Sequence, residues 1–312
     1  MAISGYAIAA KRLFAHSLIR SFVMNDIYII LTASFIAISC ALIGVFLVLR
    51  QMAMVGDAIS HAVLPGIVLA YLFTGNRDSM VMLIGAVILG VLATLLIELF
   101  HKKTRLQEDA AIGVTFTWLF ALGVILISVY SGQIDLDQDC VLYGEIAYVP
   151  LDLWFTNAGM NLGPRPLWIA GGLLIAVLFF VLRGYRGLFI TSFHPDYAAA
   201  LGISTVVWHY ALMSMVSVTT VISFESVGAI LVVALLIAPA AAAYLLTESL
   251  PKLLGLAAGF GVLSSLGGYY LAKWLDGSIA GAISVVAGLI FVVAFVISQA
   301  RKKVSKKSPV LS

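Results

Sequence analysis

The sequence predicts an all-α integral membrane protein that crosses the bilayer about nine times. Two observations carry this reading. Of 312 residues, 62% are apolar and only 11% charged, whereas soluble domains carry about 25% charged residues. So few charges cannot coat a water-facing surface, and the mean hydropathy is +1.10. The apolar residues also fall in runs of the right length, since a hydrocarbon core about 30 Å thick needs about 20 helical residues. Such runs cover 28–49, 58–74, 80–100, 111–129, 167–182, 205–223, 226–246, 252–272 and 278–298. None alternates apolar with polar over about ten residues, as barrel strands do.

The even apolar density from Tyr28 to Ser298 predicts one membrane unit over 28–298, followed by a basic tail over 299–312. Before it, Lys11, Arg12, His16 and Arg20 lie among apolar residues. That spacing lacks the unbroken apolar core of a signal peptide. It predicts an amphipathic helix at the membrane interface over 1–27, with an additional poor span as the alternative. The run 167–182 is short, so it starts earlier or tilts. Orientation follows from Lys and Arg, which favour the cytoplasmic side. With a cytoplasmic C-terminus and nine spans, twelve basic residues fall inside, and Arg77, Arg165 and Lys273 fall outside. Counting Lys11, Arg12 and Arg20 as outside still leaves twelve against six.

The longest loop, 131–166, then faces outward and carries Asp135, Asp137, Asp139, Glu145 and Asp152, with Arg165 its one base. It reads either as a cation-attracting surface or as a solvated acidic loop. Glu145 and Glu225 are candidate acids at an outer mouth. Two cysteines, Cys40 and Cys140, are too few for a disulfide framework or a thiolate metal site. Glu98 is expected to reach water at the end of the third span, and His209 reads as a satisfied interfacial histidine, with a metal ligand as the alternative. Ser217, Thr219, Thr220 and the glycines at 267, 268, 277 and 281 read as helix-packing positions.

The stretch of greatest chemical interest is GDAISHAVLPG, Gly56–Gly66, at the opening of the second span. Asp57 and His61 are four apart, hence on one helix face one turn apart. A carboxylate and an imidazole at that spacing can reach one divalent ion, and their oxygen and nitrogen donors suit manganese, iron or zinc. Ionisable groups at membrane depth are costly and normally face a cavity or a partner. A second reading has Asp57 capping the helix and His61 bonding a carbonyl. Further on, FHPDYAAALGI (193–203) places Pro195 and Asp196 where a short helix would begin, and Gly202 where it would end. The chain has no GxxxxGK[ST] phosphate loop, so ATP-driven transport would require a nucleotide site on another polypeptide.

GDAISHAVLPG resembles the signature of the permease subunits of ABC importers for manganese, zinc and iron, the ABC-3 type metal permeases. GAILVVALLIAPAAAAYLL (228–246) and FHPDYAAALGI are similar to two further motifs of that family, in the same order. The resemblance runs from about Ile27 to Gln299. His194 departs from the acid commoner in that motif, and Glu145 departs from a commoner neutral residue. The resemblance implies the architecture of the cobalamin and siderophore permeases (type II). It implies a bacterial inner-membrane protein working beside a second permease, identical or paralogous, with cytoplasmic ATPase subunits and an extracytoplasmic metal-binding protein. The chain itself would be a transport subunit and no enzyme, with no permanently bound cofactor and no nucleic-acid partner. Asp57 and His61 would handle the metal, with manganese first, then iron or zinc. Pro195, Asp196, Ala199, Leu201 and Gly202 would couple to the ATPase. The competing class is an ion-gradient-driven metal transporter or channel, which calls for acids buried in mid-span.

Overall fold

A computed structural model describes residues 2–75, 79–104, 106–130, 146–155 and 161–307, with 2–23 described by their backbone only. Helices run over Ala2–Leu49 (α1), Met54–Ala62 (α2), Leu64–Thr74 (α3), Ser79–Lys103 (α4) and Glu108–Tyr130 (α5). A 3₁₀ turn, Ile146–Leu151, precedes an antiparallel pair of short strands, Leu153–Phe155 (β1) and Asn161–Pro164 (β2). The remaining helices are Arg165–Phe193 (α6), Pro195–Ala200 (α7), Thr205–Val227 (α8), Ala229–Leu246 (α9), Leu250–Leu275 (α10) and Ile279–Lys307 (α11). Among the described residues, nine spans are long and apolar enough to cross a bilayer, α2 and α3 together forming the second. Each matches one of the nine apolar runs.

The differences lie at the ends. The fifth span lengthens to 29 residues, about 43 Å of helix, so Arg183 and Arg186 sit on a helix rather than in a loop. α1 passes without a break through the boundary expected at residue 27, and the expected interfacial seating of 1–27 rests mainly on side chains 1–23, which lie outside those described.

α1 is the hub. In its span, 72% of the apolar window is buried within the protein, against 22–56% for the others. It packs against α6, α8, α9 and α10, while α2 to α5 gather with α8 on one side and α9 to α11 on the other. Outward faces of α5, α6 and α11 present Ile125, Ile175 and Val293, as lipid contact requires. Without a hydrophobic force between helices in lipid, close backbone approach supplies the packing. At the α1–α9 crossing, a Cβ on Gly44 would collide with the Leu236 carbonyl, and on α10 a Cβ on Gly268 would lie 2.6 Å from Ile283 N. Gly277 behaves otherwise: it closes the end of α10 by bonding Ala272 O and meets no helix.

Buried hydroxyls mostly back-bond within their own helix, as Ser39 does to Phe35 O (2.8 Å) and Thr115 to Ala111 O (2.7 Å). Ser217, Thr219 and Thr220 are buried, as packing positions should be, and among the described residues their hydroxyls have no hydrogen-bond partner. Cys40 is a buried packing residue whose thiol donates to Ser223 Oγ at 3.6 Å.

The Gly44–Leu236 crossing makes a direct prediction. Gly44→Ala should cost about 1–3 kcal/mol by overpacking. Gly172→Ala, where nothing lies within 4 Å, should be neutral or stabilising by up to about 1 kcal/mol. Unfolding of the purified protein in detergent measures both.

Candidate metal site and the adjoining helix ends

α2 opens within five residues of the end of α1. Pro65 stands at the start of α3, where it cannot donate to the carbonyl of His61, its i−4 neighbour. The helix therefore breaks at Val63, two residues before the proline, and restarts through Gly66 N to Val63 O (2.9 Å). The second half is held fast, since a Cβ on Gly66 would lie 2.6 Å from Gly85 O on α4.

Asp57 sits in the first turn of α2 and does not cap it. The cap position is Ala53, with no side-chain bond. His61 Nε2 lies 3.7 Å from Asp57 Oδ1, with the two side chains 32% and 39% exposed. Among the described residues His61 bonds no carbonyl; its ring leans on Phe116 (6.1 Å between centroids) and edge-on against Phe120 (5.8 Å) of α5. The helix-cap reading of the pair is thus not what the fold adopts. Asp57 opens onto a cleft of about 290 Å³ between α2 and α5, lined by Met54, Ala58, Asp109, Ile112, Gly113 and Phe116. Asp109 was not singled out from sequence, where it looks like an ordinary acid in the first turn of a helix. Among the described residues no cluster of three or more His, Cys, Asp or Glu forms.

The level of this pair is set by its neighbours. Arg50, next after α1, donates through Nη2 to Thr191 Oγ1 (2.9 Å) and through Nε to Ser192 Oγ (3.1 Å) at the end of α6. Burial pulls its guanidinium down from its ordinary value. α7 follows at once, so Asp57, about 4–5 Å of helix rise from Met54, lies at the α7 end of the bundle. At the same end Glu98 is buried rather than wet: His209 Nε2 is 2.7 Å from Glu98 Oε2, and Lys102 pairs with the other oxygen. His209 is thus satisfied, as expected, by Glu98.

α7 forms as its residues dictate. Pro195 occupies the first turn, Asp196 adds its charge there, and Ala198 is buried. Gly202, at φ +73, lets Gly202 N reach Ala199 O (3.1 Å) and Ile203 N reach Ala198 O (2.9 Å), a Schellman closure. Asp196, Tyr197, Ala199, Ala200 and Leu201 face outward.

At the opposite end, a cavity of about 240 Å³ gathers Glu225, Asp152, Arg165, Tyr148 and Ser226. Glu225 lies in the last turn of α8 rather than between spans. Glu145 falls outside the described residues. Lys273 Nζ bonds Asp26 Oδ2 at 2.7 Å, tying α10 to α1.

A family model, the ABC 3 transport family, matches residues 24–298. The chain belongs to the ABC 3 transport family. Similar members include the manganese transport system membrane protein MntD of Bacillus subtilis, 48% identical over 90% of this chain and 95% of that protein. The zinc transport system membrane protein TroD of Treponema pallidum is 43% identical over 86% of this chain and 73% of its own length. A chain of the solved structure of PsaBC from Streptococcus pneumoniae in complex with Fab superposes with a TM-score of 0.70 at 32% identity, covering 86% of this chain and 89% of that one. An inward-facing transporter assigned to the metal-chelate type shares the fold, with a TM-score of 0.59 at 18% identity. The architecture is the type II importer permease expected from the sequence, and this ABC 3 chain is a multi-pass membrane protein and a transport subunit.

The closure of α7 can be tested locally. Gly202→Ala forces a Cβ into the left-handed region at about 1–2 kcal/mol, so the Ile203 amide should exchange about tenfold faster in hydrogen-exchange mass spectrometry.

Proposed function

We propose that this ABC 3 permease carries a divalent metal ion, manganese foremost, into the bacterial cytoplasm through a pathway that Asp57 and His61 control. The observation that carries the reading is the pair itself, held one turn apart on a broken helix with Asp57 facing a cleft. A nitrogen and an oxygen 3.7 Å apart can be bridged by one ion bound at about 2.1 Å from each. Phe116 and Phe120 fix the imidazole, so the pair is preorganised. Two protein ligands without thiolate suit a passing manganese or iron ion better than a tight zinc cage, and a conduction site must also release its ion. The manganese function of the MntD relative supports the same order.

On this reading a second permease, identical or paralogous, packs across the α2–α5 cleft and contributes its own pair. α7 then sits in a groove of a separate cytoplasmic ATPase, with Asp196, Ala199 and Leu201 in contact and Pro195 and Gly202 setting its ends. The C-terminal basic tail lies on that side. Glu225, with Asp152 and Arg165, lines the outer mouth, where a binding protein delivers the metal. Glu98 is buried but pinned between Lys102 and His209 at one end of the bundle, which does not favour a mid-membrane proton relay.

Reconstituted with its ATPase and binding protein in proteoliposomes, the permease should take up manganese in preference to zinc, and only with ATP. Asp57→Ala and His61→Ala should each lower uptake more than about tenfold with assembly intact. Wild-type uptake by both variants, measured with radioactive manganese, would remove the pair from the pathway.

A further inference from the structure

The end of α1 is closed by a Schellman motif: Gln51 N bonds Val48 O (3.1 Å), Met52 N bonds Leu47 O (2.9 Å), and Gln51 takes the left-handed φ of +61. Val55 N then bonds Met52 O at 3.2 Å, which starts α2. The connection is therefore short and closed, and α2 has little freedom relative to Arg50. On the other side of Arg50, its two acceptors are the last hydroxyls before α7: Ser192 precedes Pro195 by three positions. Thr191 is itself fixed, because its hydroxyl donates to Gly187 O at 2.7 Å while accepting from Arg50.

Among the described residues, Arg50 pairs with no carboxylate. A bare positive charge could be supplied equally by a lysine. What this position uses is the rigid planar fork, with Nε and Nη2 aimed at two successive hydroxyls. Neutral acceptors also make the contact easier to remake than a buried ion pair.

We propose that Arg50 is the positioning residue that links α7 to the metal-handling helix: its guanidinium carries displacement of the α6–α7 junction through the closed α1–α2 turn to Asp57 and His61. This rests on the permease reading above. Movement of α7 by a bound ATPase then shifts α2 directly, without passing through the body of the bundle.

The test uses the complete permease–ATPase–binding-protein complex in proteoliposomes and reads manganese imported per ATP hydrolysed. Arg50→Gln should lower that ratio about tenfold, within the range of typical coupling energies, while basal ATP hydrolysis and complex assembly persist. Arg50→Lys, which keeps the charge and one donor direction, should recover part of the ratio. Thr191→Val combined with Ser192→Ala should uncouple to the same extent, and adding Arg50→Gln to that pair should bring no further loss. A wild-type ratio in Arg50→Gln, or losses that multiply when the acceptor and donor variants are combined, would overturn the assignment. If Arg50→Gln does not assemble, the hydroxyl variant alone decides: normal coupling in it overturns the link. ATP-independent uptake by the wild type would instead overturn the permease reading itself.

Discussion

Hydrocarbon offers no hydrogen bonds, and most of this structure follows from that. Every backbone donor and acceptor crossing the bilayer must be satisfied inside the chain, so the spans are helices and the two short strands lie outside them. The same constraint bends Ser39 and Thr115 back onto their own helices and brings Gly44 into contact with the Leu236 backbone, since packing rather than water release must hold helices together. It also explains where charges occur. Glu98, His209 and Lys102 neutralise one another, and Asp26 meets Lys273, in both cases near helix ends. The exception is the Asp57–His61 pair, whose oxygen and nitrogen stand too far apart for a hydrogen bond, with Asp57 opening onto the cleft. On the function proposed above, these two costly groups are kept for an ion that arrives from outside.

The spans were legible because apolar run length is a local property, and all nine runs became helices. α7 was legible for the same reason: proline, aspartate and glycine each act through the backbone within one turn. The i,i+4 geometry of Asp57 and His61 likewise needs nothing beyond the helix itself. What the sequence could not supply were partners distant along the chain. Glu98 meets His209 across 111 positions, and Arg50 meets Thr191 across 141. No periodicity encodes such pairings, so Glu98 looked wet and Arg50 looked like one more cytoplasmic charge. Asp109 was hidden differently, because a first-turn acid has an ordinary explanation until the cleft it faces is known.

Chain order and spatial order reinforce each other at the α7 end. The ends of α1 and α6 meet there, and α2 and α7 both start there. The residues proposed to meet the ATPase and those proposed to meet the metal are therefore separated by a few side chains. On the function proposed above, this proximity lets a docked ATPase act on the metal-handling helix over a short path.

The break at Val63 has a further mechanical consequence. α3 is clamped to α4 by the Gly66–Gly85 contact, whereas α2, packed against α5 and α8, is joined to the chain by the break on one side and by the α1 turn on the other. Asp57 is six residues from Val63, a lever arm of about 9 Å. A swing of about 10° on that arm displaces its carboxylate by about 1.6 Å, several times the roughly 0.2 Å tolerance of a metal–ligand bond. On the function proposed above, capture and release of the ion would alternate through a pivot of that size.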